Sequence, residues 1–383
     1  MKDEAKTLNL TASLLDSWCA VGSETVALHL RQKLVSVEGA ERAVVFPPTY
    51  ANIGYNVDEL ADGTWVATID SVGSQANRME PLFLRPPLAE LVPQVSIEIR
   101  AGLVRSLLEL AHRSADATVY ACEGLREKAE GAFARLAAGD AWDLCCLAPT
   151  SLVFGVWDSR GGSGQKRQRL VRSVIRAWDV RVLHSAAQFN SVWKGLDEEQ
   201  REELEAAAKA AKKKVSDIGL KDAPAVFRKV GLGAAKEMRE WVGGGPNPER
   251  RVLGGVLAGE IIRDVTVNLV ALRAVPGGAN KGAQMRKYLL GIALLAATAD
   301  LDWNLREGCN LRLAHEGRWS AVARRGEPSA VSALAGTELL DYARAAAEPL
   351  KPDWPKDRKF RFDAKLAKGL FKKKVDGEGG EEE

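Results

Sequence analysis

Two stretches hold residue types whose spacing points to chemistry. In the first, Asp70, Ser71, Gly73, Ser74, Gln75, Asn77 and Arg78 follow an apolar, β-branched segment, a density of short polar groups that a packed core does not use. The second runs from Phe154 to Arg181, FGVWDSRGGSGQKRQRLVRSVIRAWDVR. Gly161, Gly162 and Gly164 make a pliable loop whose amides can approach a phosphate, and Lys166, Arg167 and Arg169 follow at once. A helix after that loop would carry Lys166, Arg169, Arg172 and Arg176 on one face, with Val171, Val174 and Ile175 turned to the core. Such a stripe spreads charge over about 15 Å and tracks a polyanion rather than one small ligand. A solvated helix face without a partner is the plain alternative. Only Asp158 and Asp179 flank the stripe to neutralise it, which favours nucleic acid.

Other chemistries find less support. GGSGQKR has glycines and a lysine, but Gly164 is followed by Gln165 and Lys166 by Arg167, so the spacing G-x-x-x-x-G-K-[ST] of a nucleotide triphosphatase is not met. VPGGANKGAQMRK is a second glycine-rich turn entering a helix, where Lys281 and Arg286 could meet a backbone phosphate; an ordinary turn fits it equally well. His29, His112, His184 and His315 are scattered, with no metal-binding or nucleophile-activating pattern. Cys19, Cys122, Cys145, Cys146 and Cys309 contain no Cys-x-x-Cys pair and read as reduced, buried thiols. No cofactor and no metal is expected. Trp157, Trp178, Trp193 and Tyr50 are aromatics able to stack a base, although most tryptophans in such a chain are core, and no RNP-type signature occurs.

The elements that must position these residues can be read from periodicity. GTWVATID reads as a strand, Thr64 to Asp70, and after Gly73 the residues Val72, Ala76, Met79 and Phe83 recur at a helical period. Pro47 and Pro48 place an exposed loop after the strand candidate at AVVF. Ile97 to His112 reads as an amphipathic helix, and Val171 to Ile175 as part of another. Asn77 and Glu80 have the spacing of a cap pair. EIIRDVTVNLVALRAV alternates as one or two strands, AQMRKYLLGIALLAATAD is a mostly buried helix, NLRLAH and RWSAVAR are short strands, and a helix lies around Ser332 to Ala347. This order predicts an α+β architecture. With 383 residues and 46% apolar content, residues 1–350 read as a single body with a solvated Ala/Glu/Lys helical insertion at about 195–250, closed by the glycine-rich linker Val242 to Arg251. Residues 351–383 read as a basic, then acidic tail that is partly disordered. No run approaches the roughly 20 apolar residues of a membrane span, and the N-terminus lacks signal-peptide features, so a cytoplasmic protein without membrane contact is expected. The formal net charge of +3 decides little; its distribution decides more.

FPPTYANIGY, DSVGSQANRMEP, FGVWDSRGG with its trailing basic residues, and HSAAQFN occur here in the order found in the backbone subunit of type I-G (formerly I-U) CRISPR effector complexes, which this chain resembles over about Phe46 to Asn190. The resemblance implies a RAMP-superfamily protein with an RRM-like (ferredoxin-like) palm elaborated by insertions. It also implies that several copies stack along one crRNA, that a projecting thumb interrupts the guide–target duplex, and that base pairing with the target DNA strand supplies specificity. The partners implied are crRNA, the target strand, further copies of the chain, a large subunit, a guide-end-capping and processing subunit, and a recruited helicase-nuclease.

On this resemblance Ser71, Ser74, Gln75, Asn77 and Arg78 contact crRNA, since Ser, Gln and Asn can donate to phosphate or 2′-hydroxyl groups and Arg78 adds charge. A capping and turn network is the alternative use of the same residues. Arg160 and the stripe from Lys166 to Arg176 line the RNA or target-DNA path, joined by Lys281 and Arg286. The C-terminal glycine-rich loop of the superfamily is matched only loosely, by Gly277, Gly278 and Gly282. No enzymatic role is expected. The rival is a ribonuclease of the same superfamily acting on repeat or target RNA, with Asp70 or Asp158 as its loop aspartate; a scaffold binding only proteins is a third reading.

Overall fold

The computed structural model describes residues 7–39, 43–50, 53–159, 163–185, 192–218, 220, 252–332 and 336–375. The fold is α+β, built on a curled antiparallel sheet and compatible with an RRM-like palm. Six strands position the site: β1 (Thr25–Ser36), β2 (Trp65–Asp70), β3 (Val171–Trp178), β4 (Glu260–Asn268), β5 (Cys309–Leu313) and β6 (Arg318–Ala323). Across the sheet the order is β5–β1–β4–β3–β2, and β6 pairs with the first half of β1. Each of these pairings is antiparallel.

Strict alternation builds the sheet. Leu28, Leu30 and Leu34 of β1 are buried, while His29, Arg31 and Lys33 stand on the opposite face. The register sets Val171, Ser173, Ile175 and Ala177 of β3 beside Val267, Val265, Arg263 and Ile261 of β4 on the inner face. Two helices matter most for the site. α1 (Val72–Met79) leaves β2 directly, and α2 (Ala279–Thr298) packs on the inner face of β3 and β4 with Met285, Tyr288, Leu289, Ile292 and Leu294 fully buried. Gly291 in α2 lets the helix Thr337–Ala347 come close, because a Cβ there would lie 3.0 Å from the Cα of Ala343.

The strands at 65–70, 309–313 and 318–323, α1, α2 and the helix 337–347 agree with the sequence reading. Two expected helices are strands. Ile97 to His112 forms a hairpin, Ser96–Arg100 with Leu103–Ser106, followed by the 3-10 turn Leu107–Glu109. Gly102, at φ 75°, closes it; Ile97 and Ile99 alternate as a strand requires, whereas Ile99, Leu103, Leu107 and Leu110 recur at the spacing of a helix face. Val171 to Trp178 is β3, because Val171, Val174 and Ile175 are β-branched and two neighbouring strands supply hydrogen-bond ladders to both its edges. EIIRDVTVN is one strand that then turns helical, with Asn268 Oδ1 accepting from the Ala271 amide at 2.9 Å. The Asn77–Glu80 cap pair does not form. Ser71 caps α1 instead, accepting from the Ser74 amide at 3.2 Å, so the helix starts earlier than that pair requires.

Within the expected insertion, the helix Glu198–Ala210 opens on an Asp197/Gln200 capping box and buries none of its residues. The Val242 to Arg251 linker and most of 219–251 lie outside the described residues. From the expected tail, Lys359–Arg361 pairs parallel with Ser96–Arg100 and a helix spans Ala364–Val375, while 376–383 lie outside the described residues. All five cysteines are buried and unpaired, and burial pushes Cys19 and Cys146 up to about 12. No helix among the described residues is long and apolar enough to cross a membrane.

Candidate nucleic-acid interface

The polar run after Asp70 turns largely inward. Pairing of Asp70 with Ile175 sets its carboxylate on the inner face, where it accepts from Gln75 Nε2 at 2.7 Å, Arg78 Nε at 3.0 Å and Arg306 Nη2 at 3.4 Å. Gln75 is fully buried, and its Oε1 accepts from Ser173 Oγ at 2.7 Å and Arg263 Nε at 3.2 Å. Arg263 is itself fully buried, donates to Gln32 Oε1 at 2.7 Å and to the Ala297 carbonyl at 3.2 Å, and stacks on Trp303. Burial pulls its guanidinium down to about 9, still a cation at neutral pH. Gln75 therefore offers RNA no exposed surface, and Arg78 donates to Asp70 and the Leu305 carbonyl. Ser71 and Ser74 are half-buried at the cap, and Asn77 is exposed. Ser71 thus caps and Gln75 packs, while Ser74, Asn77 and Arg78 keep surface in reach of solvent.

Four cations of the second stretch, Lys166, Arg167, Arg169 and Arg172, gather in an open cleft of about 810 Å³, and Arg176 does not line it. They do so on strands, not on a helix. Trp157 and Lys166 lie opposite one another in a two-stranded ribbon, Val156–Trp157 with Lys166–Arg167, and Arg172 and Arg176 stand on the outer face of β3. His112, Arg113, Lys166, Arg167, Arg169 and Arg172 line the cleft, and none of the described residues lining it is Asp or Glu. Arg169 Nε donates to the Phe154 carbonyl at 3.0 Å, and Arg167 Nη2 to Ala274 O at 3.1 Å. Gly155, at φ 85°, makes room for Arg169, whose Cγ would lie 2.8 Å from a Cβ there. Burial lowers the pKa of Arg167 and Arg169, and for Arg169 the nearby Arg113 and Arg172 add repulsion. Arg172 is exposed and makes no hydrogen bond or ion pair among the described residues. Cations crowded without acids attract an anion.

The same surface continues over the sheet. Register aligns Arg172 with Thr266 and His29, and Arg176 with Ile262 and Lys33, so the outer face carries a row of basic groups beyond the cleft. Arg31 and Lys33 lie 3.8 Å from Glu260, and His29 Nε2 lies 3.2 Å from Asp264. Burial alone would raise Asp264, but His29, Arg31 and Arg176 hold its carboxyl below the ordinary value. Arg113, His112, His29, Arg31 and Lys33 were not among the expected contacts. The alternation His29-x-Arg31-x-Lys33 against Leu28, Leu30 and Leu34 was a period-two signal, whereas nothing local ties Arg113 to the stripe.

Lys281 and Arg286 do not reach the cleft. Lys281 Nζ sits 4.4 Å from the Trp142 ring centroid, and Arg286 Nε donates to Cys19 O at 3.1 Å. Arg160 lies outside the described residues. Asp70 and Asp158, the aspartates considered for cleavage, are each 1% exposed, and Asp158 accepts from Tyr120 Oη at 2.6 Å. Among the described residues no cluster of three or more His, Cys, Asp or Glu could hold a metal ion.

Arg113 links the cleft to α1. Its backbone is left-handed at φ 53°, its Nε lies 2.7 Å from Glu80 Oε2, and its Nη1 donates to Gly155 O at 3.3 Å. Burial pushes the Glu80 carboxyl up to about 7 despite Arg113 and Thr150. A carboxyl raised from its ordinary 4.5 adds stability in full below pH 4.5, and that contribution is lost as pH rises to about 7. The urea midpoint of the wild type is expected to fall relative to Glu80→Gln across that window, and parallel profiles of the two proteins would refute it.

The family model described as CRISPR-associated protein GSU0053 matches residues 28–182. Over these residues the chain is similar to that CRISPR-associated family. The match covers less than half of the 383 residues but spans β1 to β3, α1 and the ribbon that bears Trp157 and Lys166. No curated protein matches the chain.

Proposed function

We propose that this chain is the crRNA-binding backbone subunit of a type I-G CRISPR surveillance complex, a RAMP-superfamily protein that oligomerises along the guide and presents it for pairing with target DNA. The observation that carries this is the cleft of about 810 Å³, whose described lining holds Arg113, Lys166, Arg167, Arg169 and Arg172 with no carboxylate. Beyond the cleft, Arg172 and Arg176 of β3 and His29, Arg31 and Lys33 of β1 stand on the same outer face of the sheet, with Glu260 and Asp264 of β4 between them, so basic groups continue past the cleft as a polymer of phosphates would need. The CRISPR-associated family match over this part of the chain supports the same assignment.

In this reading the cleft and sheet face grip the guide by its backbone, and sequence is read by base pairing rather than by the protein. Residues 1–350 act as one palm-like body, and the helical segment at about 195–250 is an appendage available to neighbours or to the duplex. Further copies, a large subunit, a guide-capping and processing subunit and a helicase-nuclease complete the cytoplasmic assembly, and this chain cuts nothing itself. The test is co-expression with a CRISPR array, followed by the ultraviolet absorbance ratio of the purified protein and sequencing of bound RNA. Bound RNA of uniform, guide-like length is expected. RNA of random length and sequence would sink the guide-specific role, and cleavage of repeat or target RNA by the purified chain would favour the ribonuclease reading.

A further inference from the structure

The rim of the cleft carries an aromatic side chain that the fold holds out to solvent. Trp157 is 60% exposed, although an indole buries more apolar area than almost any other side chain when it packs. The residue after it explains the orientation. Neighbouring residues of a strand point to opposite sides, and Asp158 points inward, where Tyr120 Oη donates to it at 2.6 Å and the Ser163 amide at 3.3 Å. Trp157 then has to point outward. The Asp158 amide donates to Gln165 O at 2.9 Å, which locks the ribbon, and Lys166, the register partner of Trp157, holds its Nζ 5.7 Å from the indole centroid. The ring stands in the same cleft as Arg169 and Arg172.

We propose that Trp157 is a stacking platform for an unstacked base of a single-stranded nucleic acid whose phosphates lie on Arg169 and Arg172. The proposal rests on the cleft reading above and adds a contact to the base that phosphate binding does not require. An indole face accepts any base, so the contact is sequence-tolerant and compatible with guides of any sequence. A duplex keeps its base faces stacked and offers none to the ring, so the platform favours single strands. The Asp158 anchor sets the ring in place before binding, which reduces the entropy lost on association.

Fluorescence anisotropy of the full chain with a single-stranded oligouridylate, and with an abasic ribose-phosphate chain of equal length, tests it. The wild type should prefer the oligouridylate. Trp157→Ala should weaken that binding by roughly 5- to 150-fold while leaving the abasic probe unchanged, and Trp157→Phe should recover most of the loss. Arg172→Glu should weaken both probes. If Trp157→Ala binds the oligouridylate like the wild type while Arg172→Glu loses both probes, the platform is wrong and the cleft reading stands. Equal wild-type affinity for the two probes also overturns the platform. A wild-type protein that binds neither probe removes the platform and the cleft reading together.

Discussion

Replacing Arg169 and Arg172 together by Glu lowers affinity for single-stranded RNA by roughly 10²- to 10⁴-fold. The estimate comes from losing two charge-assisted phosphate contacts of about 1.5–3 kcal/mol each, with reversed charges left in their place. Because the described lining of the cleft holds no carboxylate, nothing there compensates for the change. The dependence of log K on log salt should also become shallower by about 1.4, since each lost contact to a single strand removes about 0.7 from the slope. Arg169 also donates to the Phe154 carbonyl, so its replacement removes a structural contact as well as a phosphate contact. Arg172 is exposed and without a protein partner among the described residues, and the single variant Arg172→Glu separates the two causes. Binding isotherms across a salt series provide both readouts. Unchanged affinity in the double variant would take the cleft out of the RNA path.

The second large effect is on stability. Gln75→Leu should cost about 3–5 kcal/mol, since two buried hydrogen bonds to charged groups are lost at about 1.5–3 kcal/mol each, a large share of the 5–15 kcal/mol that holds a typical domain together. Gln75 joins Asp70 to Arg263, donating to the carboxylate and accepting from the guanidinium. Leucine leaves the buried Arg263 charge without one of its oxygen acceptors and Asp70 without one of its donors. Arg263→Met should also be costly, by about 1–3 kcal/mol, because it removes the charge but leaves Gln32 Oε1 and the Ala297 carbonyl without their donor. In the double variant the two losses should not add, since the buried cation that Gln75→Leu leaves short of an acceptor is already gone. Urea denaturation of the four proteins closes this cycle. Strict additivity would mean that Gln75 and Arg263 act independently and that the network is not a unit.

Much of the fold was legible because it is local. β2 followed by α1 shows the change from period two to period 3.6 within GTWVATIDSVGSQANRM, and α2 is apolar enough around its circumference to be recognised as a buried helix. The hairpin at 96–106 and β3 were misread because short apolar runs satisfy both periods, and pairing with distant strands then decides between them. The candidate site divides along the same line. Lys166, Arg167, Arg169 and Arg172 could be chosen as a group of cations without acids, but their common cleft exists because the chain from Ala111 to Arg113 and the end of β4 fold against them.

From residue types and local spacing alone, this chain is determined to be α+β, to carry an unneutralised basic stretch around Lys166 to Arg176, and to hold reduced thiols rather than a disulfide framework. Tertiary structure alone decided where the polar motif at Asp70 to Arg78 points. The acceptor that draws in Arg263 is Gln75, 188 residues away in sequence, and no local pattern carries that information. A buried cation must find its oxygen atoms wherever folding brings them. An exposed one, such as Arg172, remains free to bind a partner from outside.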